Sequence, residues 1–144
     1  MALSVLILDD ATETLQLLAE FLRHRGCQVY TADNGLTGVE MAKLYRPDIV
    51  LTDVLLPGLS GFRIVDRLKN HPEYHPRVVL MSALDAPLYR DYASALGADG
   101  FLHKPFTLRQ LLDSVHQLCP AAVEAELAQD DPTAEVEADA IVLS

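Results

Sequence analysis

The chain has 144 residues, half of them hydrophobic, which is enough to bury one sizeable core and leaves little for a second. Its formal charge of −10 at pH 7 argues against nucleic acid as a direct ligand, because a phosphate-backbone binder needs clustered Lys and Arg. The acidity is unevenly placed: residues 1–118 hold 14 acids and all 11 basic residues, whereas residues 119–144 hold 7 acids and no base.

In chain order, Val5 to Leu8 is an apolar strand candidate. No basic segment precedes it and two aspartates end it, so it does not read as a signal peptide. Leu15, Leu18 and Leu22 then share one helical face, Gly26 closes that helix, and Asp10 with Glu13 has the spacing of a capping box. Val29 to Ala32 is a second strand, Asn34-Gly35 marks a turn, and Leu36, Val39 and Ala42 predict a second helix. Ile49, Val50 and Leu51 predict a strand buried on both faces, which gives way after Asp53 to a loop marked by Pro57, Gly58 and Gly61. Ile64, Val65 and Leu68 predict a third helix, and Pro72 and Pro76 bracket a loop before a fourth strand, Val78 to Met81. Asp85 is a candidate cap for a fourth helix with Pro87 in its first turn and Leu88, Tyr92 and Ala95 on one face, stopped by Gly97. Gly100 to Leu102 is a short fifth strand, and Leu108, Leu111, Leu112, Val115 and Leu118 make the cleanest helical stripe in the chain.

Five strand–helix units in succession predict an α/β fold: a doubly wound, five-stranded parallel sheet with right-handed crossovers and helices on both faces. Residues 1–118 are expected to form the domain. Residues 119–144 read as an acidic, mostly disordered tail or linker with one or two helical turns around Val123 to Leu127. Cys27 and Cys119 lie in no metal-ligand spacing and are too few for a disulfide framework, and Cys27 is expected to be a buried thiol. No apolar stretch approaches the roughly 20 residues needed to cross a bilayer. A soluble, cytoplasmic protein is expected.

In open α/β sheets chemistry collects at the carboxyl ends of the strands, and the polar residues of this chain fall there. Asp9 and Asp10 follow the first strand, Asp53 ends the third, Ser82 ends the fourth and Lys104 follows the fifth. Taken singly, each has a plain structural role as cap, loop acid, strand-end hydroxyl or surface charge. Together they describe a carboxylate cluster that cannot stay fully ionised without a cation, for which hard oxygens select Mg²⁺ or a similar ion. A lysine and a hydroxyl beside it suit the oxygens of a transferring phosphoryl group.

The sequence resembles the receiver domain of bacterial two-component response regulators. The resemblance rests on Asp9-Asp10, on Asp53-Val54-Leu55-Leu56-Pro57-Gly58-Leu59-Ser60-Gly61, on Ser82-Ala83 and on Phe101-Leu102-His103-Lys104-Pro105-Phe106, and covers about residues 3–118. It implies the flavodoxin-like fold of receiver type and a phosphoacceptor, not an enzyme, that assists its own phosphorylation and dephosphorylation. Asp53 would accept the phosphoryl group, and Asp9, Asp10, Asp53 and the Leu55 backbone carbonyl would hold Mg²⁺. Ser82 and Lys104 would bind the phosphoryl group, Ser82 and Phe101 would be the switch residues, and the Lys104-Pro105 bond would be cis.

The implied partners are a sensor histidine kinase or histidine phosphotransfer protein and a downstream protein docking on the fourth helix, fifth strand and fifth helix. A phosphorylation-dependent dimer is a further expectation, with no direct nucleic-acid or membrane binding. An aspartate-nucleophile phosphatase would need a second acid two residues after Asp53, where Leu55 stands. A flavodoxin-type cofactor domain would need a hydroxyl- and glycine-rich loop where Asp9 to Glu13 is acidic. A receiver-like module that binds partners without phosphorylation is the remaining alternative. The 26 residues after Leu118 are too short for an output domain, so either a stand-alone receiver or the excised receiver of a longer regulator is expected.

Overall fold

The apolar runs pair as parallel strands because each is followed by a helix that returns the chain to the same sheet edge. In the computed structural model, which describes residues 2–84, 87–120 and 142–143, the strands are β1 (Ser4–Leu8), β2 (Gln28–Ala32), β3 (Ile49–Asp53), β4 (Arg77–Ser82) and β5 (Gly100–His103). The intervening helices are α1 (Thr12–His24), α2 (Gly35–Tyr45), α3 (Gly61–Lys69) and α4 (Pro87–Leu96), with α5 (Leu108–Leu118) last. The sheet order is β2-β1-β3-β4-β5, all parallel. The predicted five-stranded, doubly wound architecture is the one observed.

Alternation along the central strands divides the core into two layers. Val5, Ile7, Ile49, Leu51, Val79 and Met81 point to one side, where they meet Leu15, Leu18 and Leu22 of α1 and Leu108, Leu111 and Val115 of α5. Leu6, Leu8, Val50, Val78 and Leu80 point to the other, against Val39 and Ala42 of α2 and Ile64, Val65 and Leu68 of α3. Cys27 is buried in the first layer, as its type predicts. Truncating a fully buried residue such as Leu51 to Ala should cost about 2–5 kcal/mol.

Several local expectations are corrected. Asp10 does not cap α1: the N-cap is Ala11, with no side-chain cap bond, and Asp10 is exposed. Asn34 is the cap of α2, its side chain accepting from Thr37 N–H at 2.9 Å, rather than only a turn residue. Leu36 faces solvent, and the buried face of α2 is Gly35, Gly38, Val39 and Ala42. On α4 the stripe of Leu88, Tyr92 and Ala95 is exposed and Ala93 alone is buried, because α4 packs through a small residue that allows close approach. Asp85 and the Val123 to Leu127 segment lie outside the described residues, as does most of the segment expected to be disordered. Two short strands not foreseen, β6 (Phe106–Thr107) and β7 (Val142–Leu143), pair antiparallel apart from the main sheet.

Candidate functional site

Sheet register brings the site together. Leu8 is level with Thr52 and Asp53 with Met81, so Asp9, one residue beyond Leu8, emerges beside Asp53, and Ser82 emerges on the other side. Ser82 is level with His103, which delivers Lys104 to the same edge. Residues separated by as many as 95 positions therefore converge on one rim.

The strand-end loops are held by their own hydrogen bonds. Val54 N–H donates to the Met81 carbonyl at 3.0 Å and Gly61 N–H to the Val54 carbonyl at 2.8 Å, which folds the loop back onto the start of α3. A Cβ at position 61 would collide with the Asp53 carbonyl oxygen, so glycine lets the helix start press against the Asp53 backbone. Gly58, at φ +85°, makes the left-handed turn in the same loop. Ser60 caps α3 by accepting from Arg63 N–H. The Lys104-Pro105 peptide is cis.

Asp9 is fully buried, and both its oxygens are engaged: Oδ1 accepts from Ala11 N–H at 2.8 Å and Oδ2 from Lys104 Nζ at 3.0 Å. The same ammonium lies 2.9 Å from Asp53 Oδ1, so Lys104 bridges the two carboxylates. Such charge-assisted bonds are the strong ones, and neither side chain is open enough for solvent to screen them. Burial pushes the Asp53 carboxyl up from 3.8 to about 7; Lys104 pulls it back, and Asp9 pushes it further up. For Lys104, burial works against the charge, but the bonds to Asp53 and Asp9 outweigh it and raise its pKa. The ammonium therefore stays charged while Asp53 shares a proton near neutrality.

Asp10 stands exposed at the rim, and Asp9, Asp10 and Asp53 each offer a carboxylate oxygen within 4.8 Å of the others. Three hard oxygens this close, one on a carboxyl whose ionisation is opposed by its surroundings, fit a divalent cation of the Mg²⁺ type, which takes a few protein carboxylates and keeps waters. Ser82 is buried and its Oγ accepts from Leu84 N–H at 2.9 Å, while its carbonyl accepts from Lys104 N–H at 2.7 Å. Leu55 and Leu84, two residues after Asp53 and two after Ser82, are 70 % and 39 % exposed. Phe101 is half-buried on β5, packed against the second core layer, with the Arg90 guanidinium of α4 5.0 Å from its ring centroid.

Two supporting residues were not singled out from the sequence. Thr52 is buried and its hydroxyl donates to the Asp53 carbonyl at 3.0 Å, holding the Asp53 backbone. A threonine inside an otherwise aliphatic strand was its visible signal. Arg90 over Phe101 had none, because a cation–π contact between two elements leaves no spacing pattern.

Comparison with known proteins gives one consistent answer. The family model described as response regulator receiver domain matches residues 5–116. The probable transcriptional regulatory protein SilR of Salmonella typhimurium is 36% identical over 116 residues, covering 81% of this chain and 50% of that protein. The probable transcriptional regulatory protein TcrX of Mycobacterium tuberculosis is 31% identical over 109 residues, covering 76% and 46%. The chain thus spans about half the length of these curated relatives. Among solved structures, the chemotaxis response regulator CheY4 of Vibrio cholerae superposes with a TM-score of 0.77 at 27% identity, covering 82% of this chain and 99% of that one.

Proposed function

The chain belongs to the response regulator receiver domain family of two-component systems, and from that premise we propose that it accepts a phosphoryl group on Asp53 from the phosphohistidine of a sensor histidine kinase or a histidine phosphotransfer protein. A carboxylate oxygen of Asp53 forms the new P–O bond as the P–N bond to imidazole breaks, and the histidine leaves with the bonding pair. The observation that carries the reading is the bridge from Lys104 Nζ to both Asp9 and Asp53 at a single strand-end edge.

Asp9, Asp10, Asp53 and the Leu55 carbonyl are the groups that would hold Mg²⁺. When bound, the ion offsets the negative charge that gathers on the transferring group. The chain's own residues supply the rest. Lys104, already fixed between the carboxylates, pairs with the oxygens of the product, and the Ser82 hydroxyl donates to one of them. An aspartyl phosphate adds about −1.5 to −2 charges beside a buried ammonium. Drawing Ser82 toward it loosens the start of the β4–α4 loop, and the ring of Phe101, held by packing and Arg90 and carrying no hydroxyl, turns inward. The docking face formed by α4, β5 and α5 shifts in consequence.

Residues 1–118 are the receiver in this reading, and residues 119–144 are an acidic linker or tail. Relatives named as probable transcriptional regulatory proteins, of which the matched region is about half, favour a setting in which the switch gates transcription through a larger assembly; phosphorylation-dependent dimerisation is the further expectation of this reading. The test is intact-mass measurement after incubation with acetyl phosphate. One phosphoryl group should be added in Mg²⁺ and almost none in EDTA, whereas labelling indifferent to Mg²⁺ contradicts the reading and no labelling in either buffer favours an unphosphorylated interaction module.

A further inference from the structure

Thr52 is a buried polar side chain to which the chemistry above gives no part. It is level with Leu8 on β1 and with Leu80 on β4, both members of the apolar layer shared with α2 and α3, and it is wholly excluded from solvent. A hydroxyl in such surroundings costs free energy unless it is hydrogen-bonded, and valine would fill nearly the same space without that cost. We propose that Thr52 is a positioning residue for phosphoryl transfer, its hydroxyl fixing the peptide that aims the Asp53 carboxylate; the inference rests on the reading of Asp53 as the acceptor.

The peptide unit joining Asp53 to Val54 is planar, so its carbonyl and its N–H turn together. Both ends of it are held. Thr52 Oγ1 donates to the Asp53 carbonyl at 3.0 Å, and Val54 N–H donates to the Met81 carbonyl at 3.0 Å. The ladder between β1 and β3 ends at Leu8 and Thr52, so the Asp53 carbonyl lies one residue beyond it, and the hydroxyl supplies a donor there. Gly61 closes in on the same carbonyl oxygen from the start of α3, where a Cβ would collide with it. Threonine suits the task because a β-branched side chain is stiff about χ1 and keeps its Oγ1 in place.

The strand fixes the backbone on one side of Asp53 and this pinned peptide fixes it on the other, so the direction of the Asp53 Cα–Cβ bond is set. Along that direction Oδ1 meets Lys104 Nζ at 2.9 Å, and Asp9 and Asp10 each offer an oxygen to the same point. Lys104 is also tied to Asp9 Oδ2 at 3.0 Å, so a carboxylate that turned away would leave the ammonium behind. A nucleophile misplaced by about 1 Å can lose about a hundredfold in rate. Removing the hydroxyl frees one end of the peptide and leaves the Met81 bond at the other, so a smaller loss of about tenfold is expected.

Two substitutions in the full chain separate the hydroxyl from the packing around it. Thr52→Val keeps the branched shape and deletes the hydroxyl, whereas Thr52→Ser keeps the hydroxyl and deletes the methyl. With Mg²⁺ and a fixed concentration of acetyl phosphate, the initial rate of labelling should fall about tenfold in Thr52→Val and stay within about threefold of wild type in Thr52→Ser. In EDTA and without donor, amide hydrogen exchange at Val54 should speed about tenfold in Thr52→Val and not in Thr52→Ser, while the amides of Leu6, Val50 and Leu80 keep their protection. Labelling of Thr52→Val at the wild-type rate, Thr52→Ser as slow as Thr52→Val, or unchanged Val54 exchange in Thr52→Val overturns the proposal. So does a loss of protection throughout the sheet in Thr52→Val, because the hydroxyl would then hold the fold as a whole. No labelling of the wild type overturns the acceptor reading itself, a result distinct from wild type and Thr52→Val labelled alike.

Discussion

Replacing Asp53 with Asn should stabilise the folded protein at alkaline pH, although Asp53 sits at the centre of the site. In the unfolded chain the carboxyl ionises near 3.8, whereas burial raises it to about 7 in the fold. Between those values the folded state binds a proton that the unfolded state does not, so this group's contribution to stability falls as pH rises through the window. The full difference is about 4 kcal/mol by pH 8. Asn keeps a carbonyl oxygen for Lys104 but loses the charge on that bond, so a gain of about 2–4 kcal/mol is the expectation. With a urea slope of about 2 kcal/mol/M, the midpoint of Asp53→Asn should lie about 1–2 M above wild type at pH 8. By pH 4 the offset should shrink below about 1 kcal/mol. The chain has no tryptophan, so unfolding is followed by far-UV circular dichroism in EDTA at both pH values. A wild type as stable as the variant at pH 8, or an offset equal at the two pH values, would show that the folded site does not oppose ionisation of Asp53.

The raised Asp53 carboxyl also predicts that Mg²⁺ displaces a proton. Affinity read from the Asp9 and Asp10 amide shifts should fall about tenfold per pH unit below about 7, and constant affinity between pH 5.5 and 7 contradicts it. Leu55 and Leu84 cannot orient a water for in-line attack, so Leu55→Asn with Leu84→Glu should speed decay of the phosphorylated protein about tenfold, or 1.4 kcal/mol of barrier. Equal decay after donor removal clears the two leucines of that role. Phe101→Ala should leave labelling of Asp53 nearly intact while weakening phosphate-induced dimerisation measured by light scattering, and lost labelling would place Phe101 in the core instead.

What the sequence disclosed followed from how each element is buried. Strands covered on both faces read as unbroken apolar runs, so β1, β3 and β4 and the residues ending them were legible. α4 misled because its large apolar residues face solvent and its contact is made by Ala93. Asp10 misled because capping-box spacing is local, whereas the start of α1 is fixed by Asp9 accepting from Ala11 N–H. The capping box of α5, Thr107 with Gln110, had legible Thr-x-x-Gln spacing. Chain order placed Asp9, Asp53, Ser82 and Lys104 at one edge. It could not give the bridging position of Lys104 or the raised carboxyl of Asp53, because the first arises from distances between residues far apart in sequence and the second chiefly from burial in the folded site.

If the proposed function holds, one carboxylate, Asp53, carries the phosphoryl group. Labelling with acetyl phosphate and Mg²⁺, reductive trapping of the acyl phosphate with borohydride and peptide mass spectrometry locate the modified residue directly. Asp53 should be converted to homoserine, dependent on the donor, with no conversion in Asp53→Asn. Trapping at Asp9 or Asp10, or a donor-dependent adduct that persists in Asp53→Asn, would contradict it.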